Sequence, residues 1–99
     1  MTDGVKYDEG KPRLALVPTK SLWEIAKVLT YGANKYPEAD NWKRVPGARW
    51  RYADALLRHI FQWLDGEIYD KESGYHHLAH AGCCILFLLW FDLVEKEEG

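Results

Sequence analysis

The sequence predicts an all-α protein: a small bundle of three main helices behind a long N-terminal arm. Three observations predict it. Apolar residues recur at steps of three and four, as in Leu22, Ile25, Ala26 and Leu29, and again in Ala53, Leu56, Leu57, Ile60 and Leu64. No stretch alternates polar and apolar residues as a half-buried strand would. Most of the glycines and prolines fall between the periodic stretches. A chain of 99 residues can build one core and not two, so residues 1–99 form one domain.

The elements follow in order. Residues 1–18 hold Gly4, Gly10, Pro12 and Pro18 without a helical period, and read as an extended arm. The first helix covers about 20–31. Ser21 and Glu24 have the spacing of a capping box, and Gly32 is a plausible stop. Residues 32–48 form a long connection. The second helix covers about 49–65, with Gly66 weakening or ending it. Residues 66–74 connect to a third helix, about 75–95, which Ser73 can cap. This helix is apolar almost all round from Ala81 to Phe91. Such a helix is central in its domain or covered by a partner chain. So small a domain has few elements to cover it, so homo-oligomerisation through helix 75–95 is expected.

Composition bounds the function. The chain is 47% hydrophobic and 28% charged, which is globular and not disordered. A formal net charge of −2 argues against a broad nucleic-acid footprint. It leaves room for a small anionic substrate held by local cations. Cys83 and Cys84 are adjacent, and neighbouring side chains on a helix diverge. They read as reduced thiols in a reducing compartment. The N-terminus lacks the apolar segment of a signal peptide, and the run Ala81–Phe91 is too short to span a bilayer alone. A cytoplasmic protein without membrane attachment is expected.

The chemistry concentrates in "GEIYDKESGYHHLAHA", residues 66–81. If the second helix continues past Gly66, then His59, Trp63, Glu67 and Asp70 form one helical stripe along the edge of the core face. Two carboxylates and an imidazole there could hold a divalent cation. The bland alternative is a solvated acidic turn beside a partly buried His59. His77 and His80 share a face of the third helix with Ala81, Cys84, Leu88 and Phe91. At the mouth of an apolar groove they suit metal ligation or proton transfer. The alternative is that their ring nitrogens satisfy nearby carbonyls. His76 points elsewhere.

Cations and aromatics supply a second set. Lys11 lies beside Gly10, where an N–H and an ammonium could meet one anion. Arg13 follows in the arm, and Lys35, Lys43 and Arg44 lie in or beside the first connection. Arg58 reads as a phosphate clamp, or as an i, i+4 partner of Asp54. Trp23 and Trp90 read as core. Trp42 and Trp63 could stack on a base, with Trp42 alternatively a plug over the core.

Four strings in order, "KYDEGKPRLALVP", "YGANKYPEADNW", "RYADALLRHIFQW" and "GEIYDKESGYHHLAHAGC", resemble the phage dATP/dGTP diphosphohydrolase N-terminal domain family. That family looks related to the all-α nucleotide pyrophosphohydrolases of the MazG type. The resemblance implies an all-helical, usually oligomeric fold. It also implies hydrolysis of a purine deoxynucleoside triphosphate, dGTP or dATP, to the monophosphate and pyrophosphate with magnesium or manganese. MazG-type enzymes carry their metal on Glu-x-x-Glu in one helix and Glu-x-x-Asp in the next. In this chain the lone Glu-x-x-Asp is Glu67 to Asp70, and His77 and His80 stand where the second carboxylate pair is expected. Mixed ligation would favour manganese, iron, cobalt or zinc over magnesium.

The implied site places His59, Glu67, Asp70, His77 and His80 on the metal. Glu67, Asp70 and His80 are the catalytic candidates. Lys11, Arg13, Lys35, Lys43 and Arg58 hold phosphates, and Asn41 and Trp42 contact the base. Two rivals remain. One is a triphosphohydrolase of the HD type, although the chain lacks a His-Asp dipeptide. The other is a non-catalytic helical module that binds a nucleotide or protein.

Overall fold

The computed structural model describes residues 2–98, of which 96–98 by backbone alone. Met1 and Gly99, the ends of the predicted arm and tail, lie outside the described residues. Three helices dominate: α1 (Thr19–Lys35), α2 (Ala48–Leu64) and α3 (His77–Glu98). Short 3-10 turns at Leu14–Leu16 and Asn41–Arg44 complete the order. Among the described residues no strand forms beyond a single antiparallel bridge between Tyr69 and His76. The all-α class and the three helices stand as the sequence predicts.

The helix ends differ in instructive ways. The first helix starts at Thr19, behind Pro18, so the Ser21 capping box does not form. Glu24 instead pairs with Lys27 one turn on, at 2.8 Å. Gly32 does not stop the helix, which runs through it to Lys35. The second helix does end at the glycine. Gly66 adopts a φ of +103°, its N–H bonds Trp63 O, and the N–H of Glu67 bonds Gln62 O. This is the paired closure of a Schellman turn, which an L side chain at that φ would strain. Ser73 does not cap the third helix. His76 does, its Nδ1 accepting the N–H of Leu78 at 3.0 Å.

The buried core is small: Val28 of α1 against Ala79 and Cys83 of α3, flanked by Ile25, Leu29, Tyr75 and Phe87. Of the predicted core face of α2, Ala53, Leu56 and Ile60 are half-buried, while Leu57 and Leu64 are exposed. The face also includes Tyr52 and His59, which pack on Phe87 and on His77 and His80. Trp23, expected in the core, is 72% exposed, and Leu22 and Ala26 also face outward. The apolar stripe of α3 survives as read, with His77, Ala81 and Cys84 buried in line. Taken from His77 to Glu95, α3 is long and apolar enough to cross a membrane by length and composition. The eleven-residue run therefore does not exclude it. Its first turns, however, carry polar groups engaged with α2 and the loop before it. The radius of gyration is 17.3 Å, against about 13 Å for a compact domain of this length. The arm, exposed throughout residues 2–18, contributes to that excess.

Candidate functional site

The loop after α2 makes the site. Once the Schellman turn has stopped α2, residues 67–76 fold back over the head of α3. Asp70 N–H bonds Tyr75 O at 2.8 Å, and His77 N–H bonds Ile68 O at 2.9 Å. Gly74, with φ +80°, donates its N–H to Asp70 O at 2.8 Å. Glu67 and Asp70 therefore reach the histidines by a chain reversal and not along one continuous helical stripe.

Five candidates meet there. His77 is fully buried. Its Nε2 lies 3.0 Å from Glu67 Oε1, and its Nδ1 lies 2.8 Å from Nδ1 of His59. With Glu67 accepting, His77 carries its proton on Nε2 and leaves Nδ1 as the acceptor for His59 Nδ1–H. His80 stacks on His59, centroids 4.4 Å apart and planes within 7°. Tyr31 of α1 stands edge-on to His80 at 6.5 Å.

Asp70 is held by Ser73, whose position in the sequence points to a helix cap. The N–H and the Oγ–H of Ser73 both reach Asp70 Oδ2 at 2.8 Å. Ser73 Oγ also lies 2.7 Å from His80 Nε2. With its own proton on Asp70, Ser73 accepts from His80 Nε2–H, which leaves His80 Nδ1 free. The signal was present as Asp-x-x-Ser, a spacing at which an aspartate commonly closes a turn on backbone N–H groups.

The electrostatics follow from this packing. Burial, then the neighbouring imidazoles of His80 and His77, push His59 down to about 4. Burial also lowers His80, against the pull of Asp70. Burial would raise Asp70, but the two Ser73 hydrogen bonds and the nearby imidazoles outweigh it and hold the carboxyl below its usual value. These shifts favour neutral rings on His59 and His80 beside an ionised Asp70, the protonation state that metal ligation needs.

His59, Asp70 and His77 each offer a ligand atom, all within 4.8 Å of one another. Two imidazoles and one carboxylate fit a divalent transition ion better than magnesium. Glu67 stands behind His77, on the nitrogen away from His59, as an outer partner does in metal sites.

Beside this cluster lies a cavity of about 570 Å³ between α1, the first connection, α2 and α3. Asn41, Trp42, Tyr36, Arg51, Tyr52 and Phe87 are among its walls. Trp42 stacks on Phe87 at 4.2 Å and stands edge-on to Trp90 and Phe91. It is a plug over the core that also forms a cavity wall. Tyr52 Oη donates to Trp42 O at 3.2 Å and ties the connection to α2.

The cation set divides. Lys35 pairs with Glu72 of the site loop at 3.2 Å. Lys43 lies over the rings of Trp42 and Trp90, at 5.5 and 4.9 Å. Arg58 is exposed and not paired with Asp54. Arg13 stays in the exposed arm with Lys11, whose N–H is spent on Asp8 O at 3.1 Å and is not free for an anion.

An all-α bundle with a histidine–carboxylate cluster at the seam of its two longest-packed helices defines a small helical domain with a buried polar site. The chain belongs to the family described as dATP/dGTP diphosphohydrolase, N-terminal, whose model matches residues 1–99. It is 37% identical over 87 residues to a dATP/dGTP diphosphohydrolase of Salmonella phage PMBT28. That match covers 88% of this chain and 29% of the relative. No solved structure matches.

Proposed function

We propose that the chain hydrolyses a purine deoxynucleoside triphosphate, dGTP or dATP, between its α- and β-phosphates, using a divalent metal. The convergence of His59, Asp70 and His77 within 4.8 Å carries this reading. The name of the phage relative supports the substrate class.

A bound divalent ion would supply Lewis acidity and charge neutralisation at the scissile phosphate. His59, Asp70 and His77 would hold it, with manganese, iron, cobalt or zinc better suited than magnesium. Glu67 fixes the ring of His77, and Ser73 fixes the carboxylate of Asp70. The free Nδ1 of His80 is placed to take a proton from the attacking water. The water oxygen bonds to the α-phosphorus, the bond from that phosphorus to the bridging oxygen breaks, and pyrophosphate leaves with the electron pair.

The test is product identity. Each of the four dNTPs is incubated with the protein and magnesium or manganese, and the phosphorus products are read by NMR. Monophosphate and pyrophosphate from the purine nucleotides are expected. Tripolyphosphate would instead support the HD-type reaction, which the predominance of imidazole over carboxylate in the cluster favours. No turnover with any nucleotide would contradict both and favour a binding module.

The same chain is proposed to act as a homo-oligomer. It exposes 8225 Å², whereas a compact monomer of its mass exposes about 5800 Å². Part of the excess is the arm. Much of the rest is apolar: Trp50, Leu57, Phe61 and Leu64 on α2, and Ile85, Leu89 and Leu93 on α3. Burying even half of the excess of about 2400 Å² on each of two copies would reach the size of an obligate interface. A second copy fits because both helices offer stripes of the same apolar chemistry, which a two-fold axis can pair with themselves.

A further inference from the structure

The cavity and the histidine–carboxylate cluster lie on one seam. Tyr52 and His59 are seven residues apart on α2, and His80 and Phe87 are seven apart on α3. Seven residues are two turns, about 10.5 Å. On both helices, therefore, the cavity sits the same two turns from the cluster, about the reach of a nucleotide from its base to its phosphates.

One cation stands between them. Lys35 closes α1, and its Nζ is 6.0 Å from the ring of Tyr31 and 5.9 Å from the ring of Tyr36. Tyr31 leans on His80 of the cluster, and Tyr36 is a wall of the cavity. The Glu72 partner of Lys35 is 72% exposed, so an incoming phosphate can replace that weak surface pair at little cost.

The cavity has the chemistry of a base site. Its volume lies within the range of about 300–1,000 Å³ common for small-molecule sites, and its walls are mainly apolar and aromatic. Asn41 makes no side-chain hydrogen bond among the described residues. Its amide offers both donor and acceptor, the pair that reads a purine edge. Gly32, inside α1, forms part of the wall, and a Cβ built on it would meet nothing within 4 Å.

We infer that this cavity is the base-and-sugar subsite for the nucleotide whose phosphates reach the His59/Asp70/His77 cluster, with Asn41 reading the base and Lys35 on the phosphate chain. The inference rests on the proposed function for the identity of the ligand. It assigns Trp42 to the wall and not to the stacking position.

The test measures binding without metal, in EDTA, by calorimetry with α,β-methylene-dGTP and with deoxyguanosine. Gly32→Leu fills the cavity and improves the helix, so loss of binding cannot be blamed on unfolding. It should weaken both ligands by about tenfold or more. Lys35→Ala should weaken the triphosphate analogue and leave deoxyguanosine unchanged. Asn41→Ala should narrow the preference for deoxyguanosine over deoxycytidine. Wild-type affinity in Gly32→Leu, or no binding of the analogue by the wild type, would overturn the subsite. Binding that follows these variants in a chain without hydrolysis would sink the proposed function alone. Hydrolysis that survives Gly32→Leu with unchanged KM would sink the subsite alone.

Discussion

His59 and His77 face each other nitrogen to nitrogen, 2.8 Å apart, across the seam between α2 and α3. At that distance the two rings cannot both carry a proton on the facing atoms. They share one proton as donor and acceptor, or they share one cation. Glu67, on the far nitrogen of His77 at 3.0 Å, fixes the tautomer that either arrangement needs. By accepting the Nε2 proton it keeps the facing Nδ1 of His77 available as a ligand.

Glu67 therefore acts through His77. Glu67→Gln keeps the size of the side chain but weakens the hold on the imidazole. It should lower manganese affinity by about ten- to a hundredfold, the usual cost of an outer partner. Asp70→Asn should lower it further. A manganese titration of the purified variants checks this, and equal affinity in Glu67→Gln and wild type would contradict the positioning role.

Stability should rise with pH through the mildly acidic range. Unfolded imidazoles bind protons with a pKa of about 6.5, while His59 is pushed down to about 4 in the fold. Between those values the unfolded chain holds more protons, so the fold gains stability as pH increases. That contribution is complete above the upper value and is lost as pH falls towards the lower one. His80, also lowered, acts in the same sense. Asp70, held below its usual carboxyl value, adds a loss at still lower pH. Urea midpoints in metal-free buffer measured from about pH 4 to 8 should climb. A flat or falling profile would mean that His59 is not buried neutral.

The two thiols should be silent in the folded protein. Burial pushes Cys83 up to about 12 and Cys84 to about 11, so almost no thiolate is present at neutral pH. Ellman's reagent should react with both after denaturation and with neither before it. Rapid labelling of the native protein would show that the α1–α3 core opens.

The apolar stripes on α2 and α3 predict a charge-sensitive assembly. Phe61→Glu and Leu89→Glu each place a carboxylate on an exposed apolar face. Each should shift sedimentation to the mass of one 11.5 kDa chain, with helical circular dichroism retained. A wild-type chain that already sediments as a monomer would contradict the oligomer.

Much of the fold was legible. The 3.6-residue period locates all three helices to within a few residues, because amphipathic burial is a local pattern. The predicted face of α2 turns inward only in part, with Ala53, Leu56 and Ile60 half-buried. Leu57 and Leu64 look like core and are exposed, while His59, on the neighbouring stripe, turns inward against α3. Periodicity ranks faces by hydrophobicity, and a polar site inside a seam rotates the buried face towards its polar residues. The five metal candidates do come together, but by a different route. A helix running on through Gly66 would join them in one stripe; Gly66 ends α2, as the glycine predicts, and its positive φ reverses the chain. The sequence presents Ser73 as a helix cap, because its contacts to Asp70 and His80 exist only once the loop closes.

The most direct measurement is the stoichiometry and ligand dependence of manganese binding, by calorimetry on the wild type and on His59→Ala, His77→Ala and His76→Ala. One ion per chain is expected, abolished in the first two variants and retained in His76→Ala, whose ring caps α3 outside the cluster. An affinity indifferent to His59 and His77 would contradict the shared-ion site on which the proposed chemistry depends.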